Sequence, residues 1–364
     1  MRIDQYVPGF AKHDAIGNHS LQIRSLLRGQ GIESDIYGEW IDPRVASEAR
    51  HYREARPTRG DVVIYHSSTH SSIVDWLLDR AAPGVTVLSD YHNITPSSYF
   101  RRWEPAAADS MDLARAEFER MAPVVSLAMA DSQYNEKDLL AAGYGRTATA
   151  HLLVDLEEYH RAPDARTLER LRRQKARGGA DWLFVGRIAP NKCQHDIIGA
   201  FAAYRRVFDP AARLTLVGGA TAVRYLRALE QLTERLELGD SVTFADNVAF
   251  PALLAHFATA DVFVCLSEHE GFCVPVLEAM ELEVPVVAFD AAAVPETLAG
   301  TGVLLGDKDP WAVAVAVAEL LADGDRRERL VAAARDRARE LSLPVTSAAL
   351  LRILTGWLAE AGLS

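Results

Sequence analysis

Short apolar runs recur along the whole chain, separated by stretches whose apolar residues fall at helical spacing. In the first half the runs are "RIDQYV" (2–7), "SDIYGE" (34–39), "DVVIYHS" (61–67), "VTVLSD" (85–90) and "VVSLAMA" (124–130). Amphipathic stretches lie between them, at 17–29, 71–81, 110–121 and 133–142. The second half repeats the scheme with "DWLFVG" (181–186), "RLTLVG" (213–218), "SVTFAD" (241–246), "DVFVCLS" (261–267), "VPVVAFD" (284–290) and "GVLLG" (302–306). Helical stretches again intervene, at 191–207, 221–237, 249–258, 274–281 and 310–322. Several runs are apolar on both alternating faces, the pattern of strands covered by helices on both sides. Strict alternation of strand and helix predicts parallel sheets built from βαβ units.

The series restarts near residue 181, just after the charged, glycine-containing "RRQKARGGA" (172–180), which reads as a linker. The expected organisation is α/β, with two Rossmann-like doubly wound domains over 1–170 and 180–340. A chain of 364 residues is long for one core, which agrees with two. An amphipathic helix over 345–362 follows Pro344. Ligands of open α/β sheets lie beyond the carboxyl ends of the strands, so two such domains are expected to face each other across the ligand cleft.

Composition narrows the function. A formal net charge of −11 argues against a general nucleic-acid binder. The three cysteines, Cys193, Cys265 and Cys273, form no C-x-x-C pair, so neither a disulfide framework nor a cysteine zinc site is expected. Reduced thiols fit a cytoplasmic compartment. The N-terminus lacks a signal-peptide pattern, and no apolar run approaches the roughly 18 residues of a membrane span. His66, His70, His195 and His256 show no metal-ligand spacing. The segment "SSYFRRWEP" (97–105) mixes Arg101 and Arg102 with Tyr99, Phe100 and Trp103. Two readings stand for it: an acceptor clamp or peripheral membrane contact, or aromatic residues anchoring a loop.

The stretch that decides the chemistry is "EHEGFCVPVLE" (268–278). The preceding run is a strand, and "VPVLEAMEL" starts a helix with Pro275 in its first turn, where a missing N–H costs nothing. Glu270 then lies on the loop at the carboxyl end of the strand, and Glu278 about one turn into the helix. Gly271 lets a ligand approach the backbone. The helix N-terminus offers free N–H groups and the positive end of a dipole, a seat for phosphate. Two carboxylates flanking an anion seat make sense for a ligand that also carries hydroxyls, and a sugar nucleotide has both. A bare pair of glutamates would read as ordinary surface; the glycine, the proline and the apolar strand reverse that. In "FVGRIAPNKCQHDIIGAF" (184–201), Arg187 and Lys192 sit at another strand's carboxyl end, placed to bind a diphosphate.

These motifs resemble glycosyltransferase family 4, retaining enzymes of the two-Rossmann GT-B fold. The resemblance runs through "VGRIAPNK", "LTLVGG", "LLAHFATADVFVCLSEHEGFCVPVLEAMELEVPVVAFD", "VPETL" and "GVLL". It is looser through "DAIGNHSLQIRSLLRGQGIESDIYGE" (14–39), "VLSDYHNITP" (87–96) and "MADSQYNEKDLLAAGY" (129–144). It implies that Arg187 and Lys192 bind the donor diphosphate, that Glu270 holds the transferred sugar and that Glu278 holds the ribose. The backbone from Gly271 through Phe272 and Cys273 to Val274 cradles sugar and phosphate. Gly17 lets its loop approach the diphosphate, and His92 touches the sugar near its 6-position. The implied reaction is metal-independent, needs no cofactor beyond the nucleotide-sugar substrate (UDP-, GDP- or dTDP-linked), and uses a glycan or small-molecule acceptor. The tail helix is expected to cross back onto the first domain. The family's usual glycines after the lysine and after "EGF" are here Cys193 and Cys273. They leave room for a sugar-nucleotide-binding partner without turnover, and the architecture also accommodates a sugar-nucleotide epimerase.

Overall fold

The computed structural model describes residues 1–11, 14–81 and 84–362. The chain forms two compact units. The first comprises residues 1–97, 106–154 and the tail from Leu341; the second comprises Ser98–Pro105 and Asp155–Glu340.

The first unit is built on seven parallel strands: β1 (Ile3–Phe10), β2 (Ile36–Ile41), β3 (Arg50–His51), β4 (Val62–Ser67), β5 (Thr86–Tyr91), β6 (Val125–Ala130) and β7 (Thr147–Thr149). Their order is β3-β2-β1-β4-β5-β6-β7. Side chains alternate between two cores, as the pleat requires. Val63 and Tyr65 of β4 join Val87, Tyr91 and Phe118 on one face, while Val62 and Ile64 join Leu88, Leu127 and Met129 on the other. That second core also takes Leu350, Leu354 and Trp357 from helix Leu343–Glu360. Their spacing is one helical stripe, so the tail helix is a wall of the first unit. By length and composition alone, the helical stretch Gly324–Glu360 contains a window of mean hydropathy 1.4, enough to cross a membrane. Here its apolar stripe is spent on the protein core.

The second unit carries six parallel strands: β8 (Asp181–Val185), β9 (Arg213–Val217), β10 (Val242–Ala245), β11 (Val262–Cys265), β12 (Val286–Phe289) and β13 (Val303–Leu305). Their order is β10-β9-β8-β11-β12-β13. Its core joins Trp182 and Phe184 of β8 to Ile197 and Phe201 of helix Gln194–Val207, and to Val313 and Val317 of helix Pro310–Ala322.

The structure departs from expectation at several points, among them helix Gly324–Glu340, which was not anticipated. β3 and β7 went unread; they are two and three residues long, at the edges of the first sheet, and lack the apolar run that marks the longer strands. The expected linker 172–180 begins as the last turn of helix Ala165–Lys175, part of the second unit, where Lys175 Nζ bonds Asp261 at 2.7 Å. The chain therefore passes between units at 154–155, ahead of the expected boundary. The segment 98–105 also belongs to the second unit: Trp103 packs on its core with its ring centroid 5.2 Å from that of Tyr225. The loop-anchor reading of those aromatics is the one the packing supports.

Candidate functional site

In each sheet the strand order reverses once, between β1 and β4 and between β8 and β11. Connections leave such a pair in opposite directions, which opens a crevice beyond their carboxyl ends. In the second unit the two loops at that point are those read as chemistry-bearing. Arg187 and Lys192 follow β8, and Glu270 to Val274 follow β11.

After β8, Gly186 and Gly218 lie so close that a Cβ on Gly218 would sit 2.1 Å from the Gly186 carbonyl oxygen. The chain then turns through the 3-10 segment Pro190–Lys192 into helix Gln194–Val207. Lys192 therefore lies on a tight turn rather than in the helix. Its Nζ reaches across to Glu270 Oε2 at 2.6 Å, with the two side chains only 15% and 9% exposed. The cation and the carboxylate expected to meet phosphate and sugar are thus already paired with each other. Arg187 is exposed.

Helix Val274–Glu281 begins after Cys273, which has φ 70°, and Cys193 stands before its helix with φ 52°. Both are left-handed, a conformation that strains any residue with a Cβ. Glycine would carry no such strain at either position. The Cys265 and Cys273 sulfurs lie 3.8 Å apart as free thiols.

Glu278 is buried. Its Oε1 accepts from the Tyr159 hydroxyl at 2.6 Å, while Oε2 has no partner. Burial pushes the Glu278 carboxyl up to about 7, against the pull of the tyrosine hydrogen bond. The loop before it is braced from several sides. Asn191 Nδ2 donates to the His269 carbonyl at 3.1 Å, and the Thr297 hydroxyl donates to the Phe272 carbonyl. Lys308 Nζ lies 2.7 Å from Asp196 and 2.5 Å from Glu268. Sequence reasoning missed Tyr159, Asn191 and Lys308; each lies in a segment with no periodic pattern and acts through a contact far away in the chain.

The first unit holds the other two expected residues, Gly17 and His92. Gly17 lies inside helix Ala15–Gly29, not on a loop, and its N–H is taken by the Asp14 carboxylate at 3.0 Å. A Cβ there would meet the Ala11 carbonyl oxygen at 2.9 Å, so the chain's own packing accounts for the glycine. His92 follows β5 with its side chain 3% exposed. Its Nδ1 lies 2.9 Å from Asp131 Oδ1 and its Nε2 lies 2.8 Å from His66 Nδ1. Both nitrogens are engaged inside the unit in the free chain. Burial disfavours charge on this ring, but the carboxylates of Asp131 and Asp90 outweigh it and hold its pKa at about 9.

Residues 167–337 match the family model described as glycosyl transferases group 1. The GDP-mannose-dependent alpha-(1-6)-phosphatidylinositol monomannoside mannosyltransferase of Mycobacterium tuberculosis is 32% identical over 238 residues, 62% of this chain and 60% of its own. The D-inositol 3-phosphate glycosyltransferase of Geodermatophilus obscurus is 35% identical over 221 residues, 58% of this chain and 48% of its own. The chain thus spans about half to 60% of the length of these relatives. Sucrose-phosphate synthase from Thermosynechococcus elongatus has the same fold, with a TM-score of 0.78 at 19% identity over 99% of each chain. HepE from Anabaena, in complex with UDP and glucose, gives 0.71 at 18% identity over 97% of this chain and 99% of its own. The architecture is that of the GT-B glycosyltransferases: two Rossmann-like domains and a C-terminal helix.

Proposed function

We propose that this chain is a glycosyltransferase that moves a sugar from a nucleotide-diphosphate-sugar donor to an acceptor hydroxyl. The observation that carries the reading is Glu278. It is a buried carboxylate beside the switch point of a group 1 domain, held by Tyr159 through one oxygen and unpartnered at the other. A ribose hydroxyl supplies the missing donor. Lys192 and Arg187 then take the diphosphate, and the backbone from Gly271 to Val274 holds phosphate and sugar at the start of a helix. Lys192 meeting phosphate frees Glu270 to accept from sugar hydroxyls. These cations and the helix end neutralise the leaving diphosphate, so the reading includes no nucleotide-bound metal. It also includes displacement on one face with retained configuration, the leaving phosphate helping to take the acceptor proton.

GDP-mannose is the first donor to test, because one relative's name specifies it, and an inositol-type polyol is the first acceptor, because both relatives' names contain one. The chain should be stabilised by a single nucleotide among GDP, UDP, dTDP and ADP. A ligand at 100 times its dissociation constant adds about 2.7 kcal/mol, read directly in thermal melting. Transfer is then followed by the anomeric configuration of the product. A melting curve unmoved by every nucleotide, with no donor consumed, would sink the reading.

Glu278 gives the donor site a pH dependence. Below about pH 7 the buried carboxyl carries a proton in the free chain and must lose it to accept from ribose. Affinity for an intact sugar nucleotide should therefore rise up to tenfold per pH unit between pH 5 and 7 and level off above. Calorimetric titration checks this, and Glu278→Gln should flatten the profile. The sign for stability is opposite. A carboxyl whose folded pKa is raised contributes stability that is present below its unfolded value and lost as pH rises through about 7.

A further inference from the structure

Tyr159 lies on the 3-10 segment Leu156–His160, just after the chain passes into the second unit. Asp155 caps that segment, its carboxylate accepting from the Glu157 N–H at 3.2 Å, and Leu156 is buried at its start. The turn brings its last two side chains to helix Val274–Glu281. The Tyr159 hydroxyl donates to Glu278 Oε1 at 2.6 Å, and His160 Nε2 lies 2.8 Å from Glu281 Oε1. Residues three apart on a helix share a face, so the segment grips one face at two neighbouring points. The Tyr159 ring meets that of Phe250, at the start of helix Phe250–Phe257, edge to face with centroids 5.1 Å apart. Such a pair fixes the plane of the ring and, with it, the place of the hydroxyl.

The carboxyl group of a glutamate turns easily about its last torsion. At Glu278 the Tyr159 bond ends that freedom, holding Oε1 and leaving Oε2 buried and without a partner. We propose that Tyr159 is a positioning residue of the nucleotide subsite, holding one oxygen of Glu278 so that the other is presented to a ribose hydroxyl. This rests on the reading of Glu278 as the ribose carboxylate. Tyr159 touches no reacting atom; it acts through Glu278. The same bond works on charge. Burial disfavours the carboxylate and the tyrosine hydrogen bond favours it, which together leave the Glu278 carboxyl at about 7. Burial and the neighbouring carboxylates of Glu278, Glu158 and Asp155 keep the phenol protonated, so it stays a donor. The other charges around the helix are spent elsewhere. His160 is taken by Glu281, Lys192 by Glu270, Arg335 by Glu283, and Arg337 by Glu340 and the Glu296 carbonyl.

The test compares Tyr159→Phe with the wild-type chain. GDP-mannose is the probe, since its phosphates do not titrate near neutral pH; UDP-glucose replaces it if UDP is the nucleotide that stabilises the chain. In calorimetric titration the wild-type affinity should level off above about pH 7. In Tyr159→Phe the rise should continue to about pH 8, because a hydrogen bond to the charged form is gone. Affinity at pH 7 should then be roughly five- to tenfold lower, and the gap should narrow by about pH 8.5. KM for the donor should rise by the same factor with kcat within about threefold, because a ribose contact is alike in ground and transition states. His160→Asn removes the adjacent titrating pair and should leave the break near pH 7. A Tyr159→Phe chain with wild-type affinity and an unmoved break would overturn the proposal and leave the donor reading standing. A wild-type chain that binds no sugar nucleotide takes both down. Should Tyr159→Phe fail to fold, infrared spectra of the wild-type chain decide. A carboxyl band missing from Glu278→Gln should grow in as pH falls through about 7, at the frequency of a hydrogen-bonded carbonyl. The frequency of an unbonded carboxyl there would count against Tyr159.

Discussion

Replacing Lys192 by alanine should lower kcat/KM at least 100-fold, a loss of about 2.7 kcal/mol of transition-state stabilisation, and Glu270→Ala should do the same. In the free chain the two side chains neutralise each other at 2.6 Å in a largely buried place. On the proposed mechanism the donor separates them, so that each meets a ligand group of its own. Removing either has two consequences that can be measured apart. Turnover falls because a contact to diphosphate or sugar is gone. Stability falls by about 2 kcal/mol because the remaining partner is left without its counter-charge. The double variant Lys192→Met with Glu270→Gln removes both charges together. It should recover most of the stability, read from denaturant midpoints, and none of the turnover. Single variants that keep turnover within threefold of wild type would show that the pair only braces the loops.

Gly218→Ala should cost about 4 kcal/mol or more and leave little folded chain at ordinary temperatures. The residue has φ 140°, which L side chains rarely adopt, and its Cβ would lie 2.1 Å from the backbone oxygen of Gly186. Neither atom belongs to a flexible side chain, so β8 and β9 must part where they now meet. The Arg187 nitrogen lies 3.3 Å from the same point, so the strain passes directly into the turn that carries Arg187 and Lys192. Gly219→Ala is the control. The atoms nearest its Cβ belong to the side chain of Asn247, the first at 2.5 Å, which can swing away at the cost of the hydrogen bond its Oδ1 accepts from the Gly219 N–H. A fall in denaturant midpoint with unchanged slope reports stability alone. A loss below about 1 kcal/mol at Gly218 would mean that the two strand ends separate easily.

How much of this was legible beforehand depended on whether a feature is local. The longer strands show in the sequence because parallel strands buried on both faces leave unbroken apolar runs. The loop after β11 shows because glycine, proline and the pair Glu270 and Glu278 compress into eleven residues. Tyr159 does not show. It lies in a short 3-10 segment and reaches Glu278 across 119 positions. The pairing of Lys192 with Glu270 is hidden for the same reason: each residue was visible, their contact was not. Gly17 and His92 are a different case. Their motifs suggested ligand contacts, while burial and hydrogen bonding give each a role inside the first unit. The cysteines lie between these cases. Their departure from glycine is visible in the chain, but only backbone angles of 52° and 70° explain why glycine is the residue they replace.

The eight residues from Ser98 to Pro105 have a bearing on how such proteins are recombined. They leave the chain of the first unit, pack Trp103 against Tyr225, and return. With the tail from Leu341 rejoining the first unit, neither unit is one uninterrupted stretch of gene. A crossover placed at residue 155 would deliver Tyr225 to a host with a foreign loop where Trp103 belongs. Chimeras that exchange the second unit should therefore succeed more often when residues 98–105 travel with it. In natural relatives, this loop should follow the ancestry of the second unit rather than that of the strands on either side of it.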